Sequence, residues 1–133
     1  MKTFVLDSSA LMTFFEDRPG AGVVEKLLEE AAKARQSLLL SVINWGEIYY
    51  SLWRLHGEEA AGKTLEQISE LPIAVADIDA ASTLLAARLK AVQRLPYVDC
   101  FAAALAIQRK ATLVTSDRDF ARIEKLAAVL WLA

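Results

Sequence analysis

Four acidic side chains in this sequence each follow an apolar run typical of a buried strand: Asp7, Glu47, Asp99 and Asp117. In an open α/β sheet the parallel strands point the same way, and ligands bind in the crevice beyond their carboxyl ends. Four carboxylates gathered there repel one another and stay ionised only beside a compensating cation. The pattern therefore predicts a divalent-metal site and phosphoryl-transfer chemistry.

The neighbouring residue types indicate which metal would fit. Hydroxyl side chains stand beside the first acid, at Ser8 and Ser9, and beside the fourth, at Thr115 and Ser116, where they could orient carboxylates or waters. A site made only of oxygen donors suits Mg²⁺ or Mn²⁺ better than zinc. His56 is the only histidine, so two-histidine acid–base ribonuclease chemistry within one chain is excluded. It ends a predicted helix.

Each acid also has a purely structural explanation, because each lies near a predicted helix start. Capping and the helix macrodipole stabilise acids at such positions. Residues 44–47 fit a capping box with Asn44 as the N-cap and Glu47 three residues later, and residues 116–119 fit a second one. The two interpretations are compatible, since a helix start holds an acid rigidly. That all four acids fall at the same predicted edge favours the metal site.

Strand and helix signals alternate along the whole chain and predict a single domain over residues 1–133. The predicted strands are 3–6, 37–43, 73–76, 111–115 and 128–132, and the predicted helices are 11–16, 23–34, 45–56, 58–70, 79–92, 98–109 and 120–125. Strands joined through helices make right-handed crossovers. The expected fold class is therefore α/β, with three α/β/α layers around a central five-stranded, mainly parallel sheet.

Composition narrows the functional class. Hydrophobic residues make up 55% of the 133 residues, yet no uncharged apolar run reaches the roughly 18 residues of a membrane span. Asp7 arrives too early for a signal peptide, so we expect a cytoplasmic protein without a membrane interaction. Cys100 is the only cysteine, so no internal disulfide can form. The apolar surplus favours a partner or a dimer interface.

At these residues the chain resembles the PIN domain family, and most closely the VapC-type toxins of bacterial and archaeal toxin–antitoxin pairs. The matching segments cover the whole chain in order: VLDSSAL (5–11), NWGEI (44–48), DCFAAALA (99–106) and LVTSDRDF (113–120). The resemblance implies a PIN-like fold and a metal-dependent endoribonuclease that uses one or two Mg²⁺ or Mn²⁺ ions. It also implies an RNA substrate in transfer or ribosomal RNA loops, a VapB-type antitoxin and a homodimer.

The same resemblance assigns roles to the acids. Asp7, Glu47, Asp99 and Asp117 match the family's acidic quartet, and Asp119 matches an additional acid. The family pattern implies that Asp7 and Asp99 bind the metal directly, while Glu47 and Asp117 act partly through water. Attack by metal-activated water would leave a 5′-phosphate and a 3′-hydroxyl.

Two further groups of side chains are candidates for contacts with RNA or protein. Arg18, Arg54 and Arg118 lie near the predicted site and are predicted phosphate contacts, although for each one taken alone a solvated charge at a helix end is the stronger explanation. The predicted helix 45–55 is apolar nearly all round, which indicates burial or a partner. Trp45, Tyr49 and Trp53 are its predicted partner interface, since aromatic side chains are enriched at interfaces.

Other functions fit less well. A phosphoacceptor receiver domain needs an acid pair after the first strand and a lysine after the last, and a haloacid-dehalogenase-like phosphatase needs an aspartate where Ser9 stands. A catalytically silent PIN scaffold stays open as an alternative, although the intact acidic quartet speaks against it. A PIN nuclease in RNA processing, without a toxin role, also stays open.

Overall fold

The computed structural model describes all 133 residues and builds them around one five-stranded sheet. Its strands are β1 (Lys2–Leu6), β2 (Gln36–Ser41), β3 (Ala74–Ala76), β4 (Thr112–Thr115) and β5 (Val129–Trp131). The spatial order is β3-β2-β1-β4-β5, and every neighbouring pair is parallel. The carboxyl ends of all five strands therefore share one edge, and the sheet is entirely parallel where a mainly parallel one was expected.

Six α-helices and one 3₁₀-helix connect the strands. The helices are α1 (Ser8–Phe15), α2 (Ala21–Ala32), α3 (Val42–His56), α4 (Glu58–Glu70), α5 (Ala80–Gln93) and α6 (Tyr97–Arg109), and the 3₁₀-helix covers Arg118–Ile123. The chain builds outward from β1 to β3 and then returns to place β4 on the other side of β1. Ligands of open α/β sheets bind at such a switch point, here between β1 and β4.

Alternating strand residues bury two separate apolar clusters, one on each face of the sheet. Leu6, Leu40 and Val114 face the cluster that α1 to α4 cover. Their neighbours Val5, Leu39 and Leu113 face the cluster that α5 and α6 cover. Helices on both faces of a parallel sheet confirm the predicted three-layer α/β/α class.

The start of α3 differs from the sequence-based prediction. Strand β2 ends at Ser41, and α3 begins at once, several residues before the predicted start. The N-cap is Ser41, whose Oγ accepts hydrogen bonds from the backbone N–H groups of Ile43 at 3.1 Å and Asn44 at 3.4 Å. The predicted cap at Asn44 is therefore wrong, because the helix begins at Val42 and Asn44 lies inside its first turn.

The run before Asp99 is not a strand. Leu95 is buried, Pro96 precedes the first residue of α6, and Asp99 lies in the first turn of that helix. Pro96 suits this position because it lacks the N–H that a helix start leaves unpaired. The predicted helix 120–125 is a 3₁₀-helix that begins earlier, at Arg118, with Asp117 as its N-cap in place of Ser116. None of the helices combines the length and hydrophobicity needed to cross a membrane.

Candidate active site

Asp7 is the buried anchor of the site, at the switch point where β1 passes into α1. As the N-cap of α1, its Oδ1 accepts hydrogen bonds from the Ala10 N–H at 2.9 Å and the Ser9 hydroxyl at 2.7 Å. Its Oδ2 accepts one from the Thr115 hydroxyl at 2.5 Å. Burial raises the pKa of Asp7 to about 6, even though these three hydrogen bonds pull the value down. A carboxylate in such a position needs a nearby positive charge to be ionised without a free-energy cost.

Hydroxyl groups tie β4 to this anchor. The Ser9 and Thr115 hydroxyls lie 3.2 Å apart, and Ser9 Oγ accepts a hydrogen bond from the Ser116 N–H at 3.0 Å. The Asp117 N–H donates to Thr115 Oγ1 at 2.9 Å. Ser9 and Thr115 contact Asp7 through their hydroxyls, whereas Ser116 contacts Ser9 through its backbone N–H. Their role as orienting residues stays a prediction.

Asp117 and Asp119 continue from the end of β4. As the N-cap of the 3₁₀-helix, Asp117 accepts a hydrogen bond at Oδ1 from the Asp119 N–H at 3.0 Å. One carboxylate oxygen thus satisfies a backbone N–H at the helix start, while the charge stays at the carboxyl edge of the sheet. The capping and metal-site interpretations of Asp117 are therefore compatible in this geometry.

Glu47 enters from α3, in the second turn. Its Oε1 accepts a short hydrogen bond from the Ser8 hydroxyl and a longer one, 3.5 Å, from Asn44 Nδ2. Asn44 is fully buried, and its Oδ1 has no hydrogen-bond partner. The contact between Asn44 and Glu47 was not predicted, because Asn44 was expected to be a cap, although residues three apart on a helix do face the same way.

Asp99 is the acid whose pKa is affected by all four of the others. Burial is the largest cause of its shifted pKa, followed by the negative charges of Asp117, Glu47, Asp7 and Asp119, and together they raise the pKa to about 7. No hydrogen bond contributes to this shift. We call these five residues the acidic cluster: Asp7, Glu47, Asp99, Asp117 and Asp119. The fold brings them to one edge, from β1, α3, α6 and the segment after β4.

The cluster is not a closed metal cage. No three His, Cys, Asp or Glu side chains approach closely enough to hold one ion together. The hydrogen bonds explain the spacing, because Asp7, Glu47 and Asp117 are each turned toward a donor of the protein. Mg²⁺ is commonly bound through only one or two carboxylates and retains several waters. The donor set is all oxygen and strongly anionic, and it fits such an ion.

Comparison with known proteins decides the family. The model of the PIN domain matches residues 4–126. The chain belongs to the PIN domain family. No curated protein sequence matches it significantly.

Solved structures share this PIN fold along nearly their full lengths. VapBC2 from Rickettsia felis, bound to a DNA fragment from its promoter, gives a TM-score of 0.80 at 20% identity and covers 98% of this chain and 99% of that chain. DNA-bound VapBC from Salmonella typhimurium gives 0.78 at 18% identity, with 100% of both chains covered. VapC20 from Mycobacterium tuberculosis, a toxin that cleaves the sarcin–ricin loop, gives 0.71 at 16% identity and covers 89% of this chain and 92% of that chain. These likenesses show the fold.

The three predicted RNA-contacting arginines of this PIN domain have different surroundings. Arg18 forms an exposed ion pair with Glu16 at 2.9 Å. Arg54 lies over the Tyr50 ring at 5.6 Å, two turns of α3 and about 10 Å beyond Glu47. Arg118 lies between Asp117 and Asp119 in sequence and over the ring of Trp131, with its Cζ 4.7 Å from the ring centroid. Of the three, Arg118 is the one that adjoins the acidic cluster.

The predicted partner interface on α3 divides into two parts. Trp45 and Tyr49 are half-buried and pack against the apolar cluster beneath α1 to α4. Trp53 is 45% exposed, and two neighbours outside the predicted interface, Tyr50 and Leu55, are 46% and 62% exposed. The apolar surface left on α3 therefore lies toward its carboxyl end.

Proposed function

We propose that this protein is a metal-dependent endoribonuclease and the toxin of a VapBC-type toxin–antitoxin pair, acting on transfer or ribosomal RNA loops. The observation that carries the proposal is the acidic cluster, in which burial and the negative charges of four other carboxylates raise the pKa of Asp99 at the carboxyl edge of the sheet of a PIN fold. Strongly perturbed carboxylates in a crevice are typical of catalytic sites. The VapBC and VapC20 relatives support the toxin role and the RNA substrate.

The residues divide the chemical work in this proposal. Asp7 and Asp99 would hold the ion. Asp7 is fixed in place by three hydrogen bonds, whereas hydrogen bonds are not among the causes of the pKa shift of Asp99, whose oxygens are available to a metal. Glu47 and Asp117 would position water molecules in the coordination shell of the ion. A Mg²⁺ or Mn²⁺ ion held by these residues would make a coordinated water more acidic and would polarise a phosphate oxygen. Water attack on the phosphodiester then leaves a 5′-phosphate and a 3′-hydroxyl.

The direct test is cleavage of total transfer RNA and ribosomal RNA by the purified protein with Mg²⁺, with Mn²⁺ and with EDTA. Asp99→Asn keeps the side-chain shape and removes the charge, so we expect it to fold and to cut nothing. Asp17→Asn is the matched control, because Asp17 is exposed and its φ of 51° is tolerated by asparagine.

Discrete fragments that need both metal and the Asp99 carboxylate, and that carry 5′-phosphates, are the expected result. Fragments that persist in EDTA or with Asp99→Asn would instead indicate a contaminating nuclease. If the protein bound the metal ion but cut no RNA, a catalytically silent PIN scaffold that acts by binding would become the better explanation.

The proposal includes a VapB-type antitoxin, a homodimer and a cytoplasmic location. The exposed apolar side chains of α3, Tyr50, Trp53 and Leu55, offer surface for a protein partner. A small gene beside this one, whose product copurifies with the protein and stops RNA cleavage, is the expected finding. Cleavage that no neighbouring gene product inhibits would instead favour a PIN nuclease of RNA processing.

A further inference from the structure

We infer that Arg118 and Trp131 form a stacking subsite for an unpaired nucleotide of single-stranded RNA at the rim of the acidic cluster. This rests on the proposed nuclease function, because it specifies how the substrate of the same site is held. The observations behind it are the position of the pair, its positive charge outside any ion pair and the exposure of Arg118.

The fold places both side chains beside the acids. Arg118 follows Asp117 and precedes Asp119, and both of these acids lie near enough to Asp99 to act on it electrostatically. Trp131 is the register partner of Thr115, the residue whose hydroxyl donates to Asp7. Neighbouring strands are about 4.8 Å apart. Trp131 therefore stands one strand from Thr115 and two strands from β1, which Asp7 follows.

The charge of Arg118 is not neutralised by its acidic neighbours. The ion pairs of the protein are Arg18–Glu16, Arg35–Glu30 and Lys63–Glu59, and Arg118 takes part in none of them. Its guanidinium lies instead over the Trp131 ring, at 4.7 Å. Held there, the cation is available to a phosphate, and it offsets the repulsion between the acidic cluster and an RNA backbone.

The chemistry of the pair selects the ligand. Arginine and tryptophan both present flat surfaces on which unstacked bases stack, and guanidinium N–H groups bind phosphate oxygens. Arg118 is exposed and Trp131 half-buried, so the pair lies at the surface with the arginine on the solvent side. A duplex keeps its bases stacked on one another and has no free base to stack on this pair. The expected ligand is therefore a single-stranded loop or end.

The other cation–π pairs of the protein lack this setting. Lys2 lies over Phe4 at the amino end of β1, the edge of the sheet opposite the acidic cluster. Arg54 lies over Tyr50 in the second half of α3. A cation–π pair that only stabilised the fold could lie anywhere on the sheet. Arg118 and Trp131 lie at the carboxyl edge of the sheet, beside the acidic cluster.

The test measures RNA binding without cleavage, with Asp99→Asn as the common background in Mg²⁺. The probes are fluorescein-labelled oligoadenylate and the same strand annealed to oligouridylate. Trp131→Leu removes the ring that holds the Arg118 guanidinium in place, so it should weaken single-strand binding by up to about tenfold, the worth of one stacking contact. Trp131→Phe keeps a ring and should restore most of the affinity, and neither variant should change duplex binding.

Arginine variants separate charge from stacking. Arg118→Ala should weaken single-strand binding and reduce its salt slope by about 0.7, the loss of one phosphate contact. Arg118→Lys should keep the slope and recover only part of the affinity, because an ammonium group does not stack. Arg35→Ala is the matched control, because Arg35 is an exposed arginine directly before β2, at the amino edge of the sheet and opposite the acidic cluster. It should change neither the affinity nor the salt slope.

Tryptophan fluorescence gives a second readout that does not depend on affinity. Oligoadenylate should quench emission in the background protein, and Trp131→Phe should abolish that quenching. Unchanged affinity with Trp131→Leu and Arg118→Ala, or quenching that survives Trp131→Phe, would overturn the subsite. Metal-dependent cleavage by the unsubstituted protein is assayed alongside, so that a nuclease without this subsite is distinguished from a protein that binds RNA but does not cut it.

Discussion

At the scale of single residues, Asp7 shows how opposing forces hold an active-site acid. Burial raises its pKa, whereas hydrogen bonds from Thr115, Ser9 and the Ala10 backbone lower it, and burial prevails at about 6. A carboxyl group whose pKa rises on folding binds its proton more tightly in the folded state. Stability from this group is therefore complete below its unfolded pKa, near 3.8, and is lost as the pH rises through about 6.

Asp7→Asn should consequently stabilise the metal-free protein at pH 8. One pKa unit corresponds to about 1.4 kcal/mol, so the gain is on the order of 3 kcal/mol. Urea unfolding in EDTA at pH 8 and at pH 5 measures it, and the gain should shrink at pH 5, where Asp7 is largely protonated. Asp17→Asn is the control. A gain that does not depend on pH would contradict this origin.

Thr115 carries two contacts of the site, since its hydroxyl donates to Asp7 and accepts from the Asp117 N–H. Thr115→Val keeps the shape and removes both, which leaves buried polar groups without partners. We expect a loss of about 1–3 kcal/mol in the free energy of unfolding. Thr115→Ser retains the hydroxyl and should lose less. Equal losses in the two variants would assign the effect to packing instead of hydrogen bonding.

At the scale of elements, the site is assembled from helix starts. Asp7 caps α1, Asp117 caps the 3₁₀-helix, and Asp99 lies in the first turn of α6. The positive end of the macrodipole favours a negative charge at each of these positions. Behind Asp99, α6 buries Cys100 to Ala106 without interruption, so the helix is held in the core and its acid has little freedom to move away.

The turn into α2 depends on one glycine. Gly20 has a φ of 101°, and a Cβ there would come within 3.0 Å of the Leu132 Cβ. Gly20→Ala should destabilise the protein by about 1–3 kcal/mol, because it combines backbone strain with a steric contact. Gly62→Ala is the matched control, since this glycine lies inside α4 with open space around its would-be Cβ. It should stabilise by about 0.5–1 kcal/mol. Thermal unfolding of both variants checks the contrast.

At the scale of the whole molecule, net charge conceals how the charge is distributed. The chain carries a net charge of −2, yet five of its acids converge on one edge of the sheet. Repulsion among them weakens the metal-free fold, and a bound cation relieves it. The folded protein should therefore be stabilised by divalent ions that the unfolded chain does not bind.

Mn²⁺ should raise the melting temperature of the unsubstituted protein above its value in EDTA. At a hundredfold excess over the dissociation constant, such linkage is worth about 2.7 kcal/mol. Asp99→Asn should melt higher than the unsubstituted protein in EDTA and should gain little from Mn²⁺. Asp17→Asn should respond as the unsubstituted protein does. An equal Mn²⁺ response in Asp99→Asn would remove Asp99 from the metal site.

Sequence patterns were sufficient for the periodic parts of the fold. The apolar runs at 3–6 and 111–115 predicted β1 and β4 within one residue, because buried parallel strands are continuously apolar. Errors occurred where two local signals competed. At residues 41–47, Ser41 and Asn44 are both good caps, and the structure uses Ser41, the residue at which β2 ends.

The sequence by itself determined which chemistry the acids could do, since oxygen donors and the lack of other ligand types follow from residue identity. Only the tertiary structure decided how those acids meet. Asp99 follows no strand, and it reaches the cluster because α6 starts at the carboxyl edge of the sheet. The pairing of Arg118 with Trp131 likewise depends on the register of β4 with β5. Contacts between residues far apart in the chain arise from packing and strand register, which local sequence does not encode.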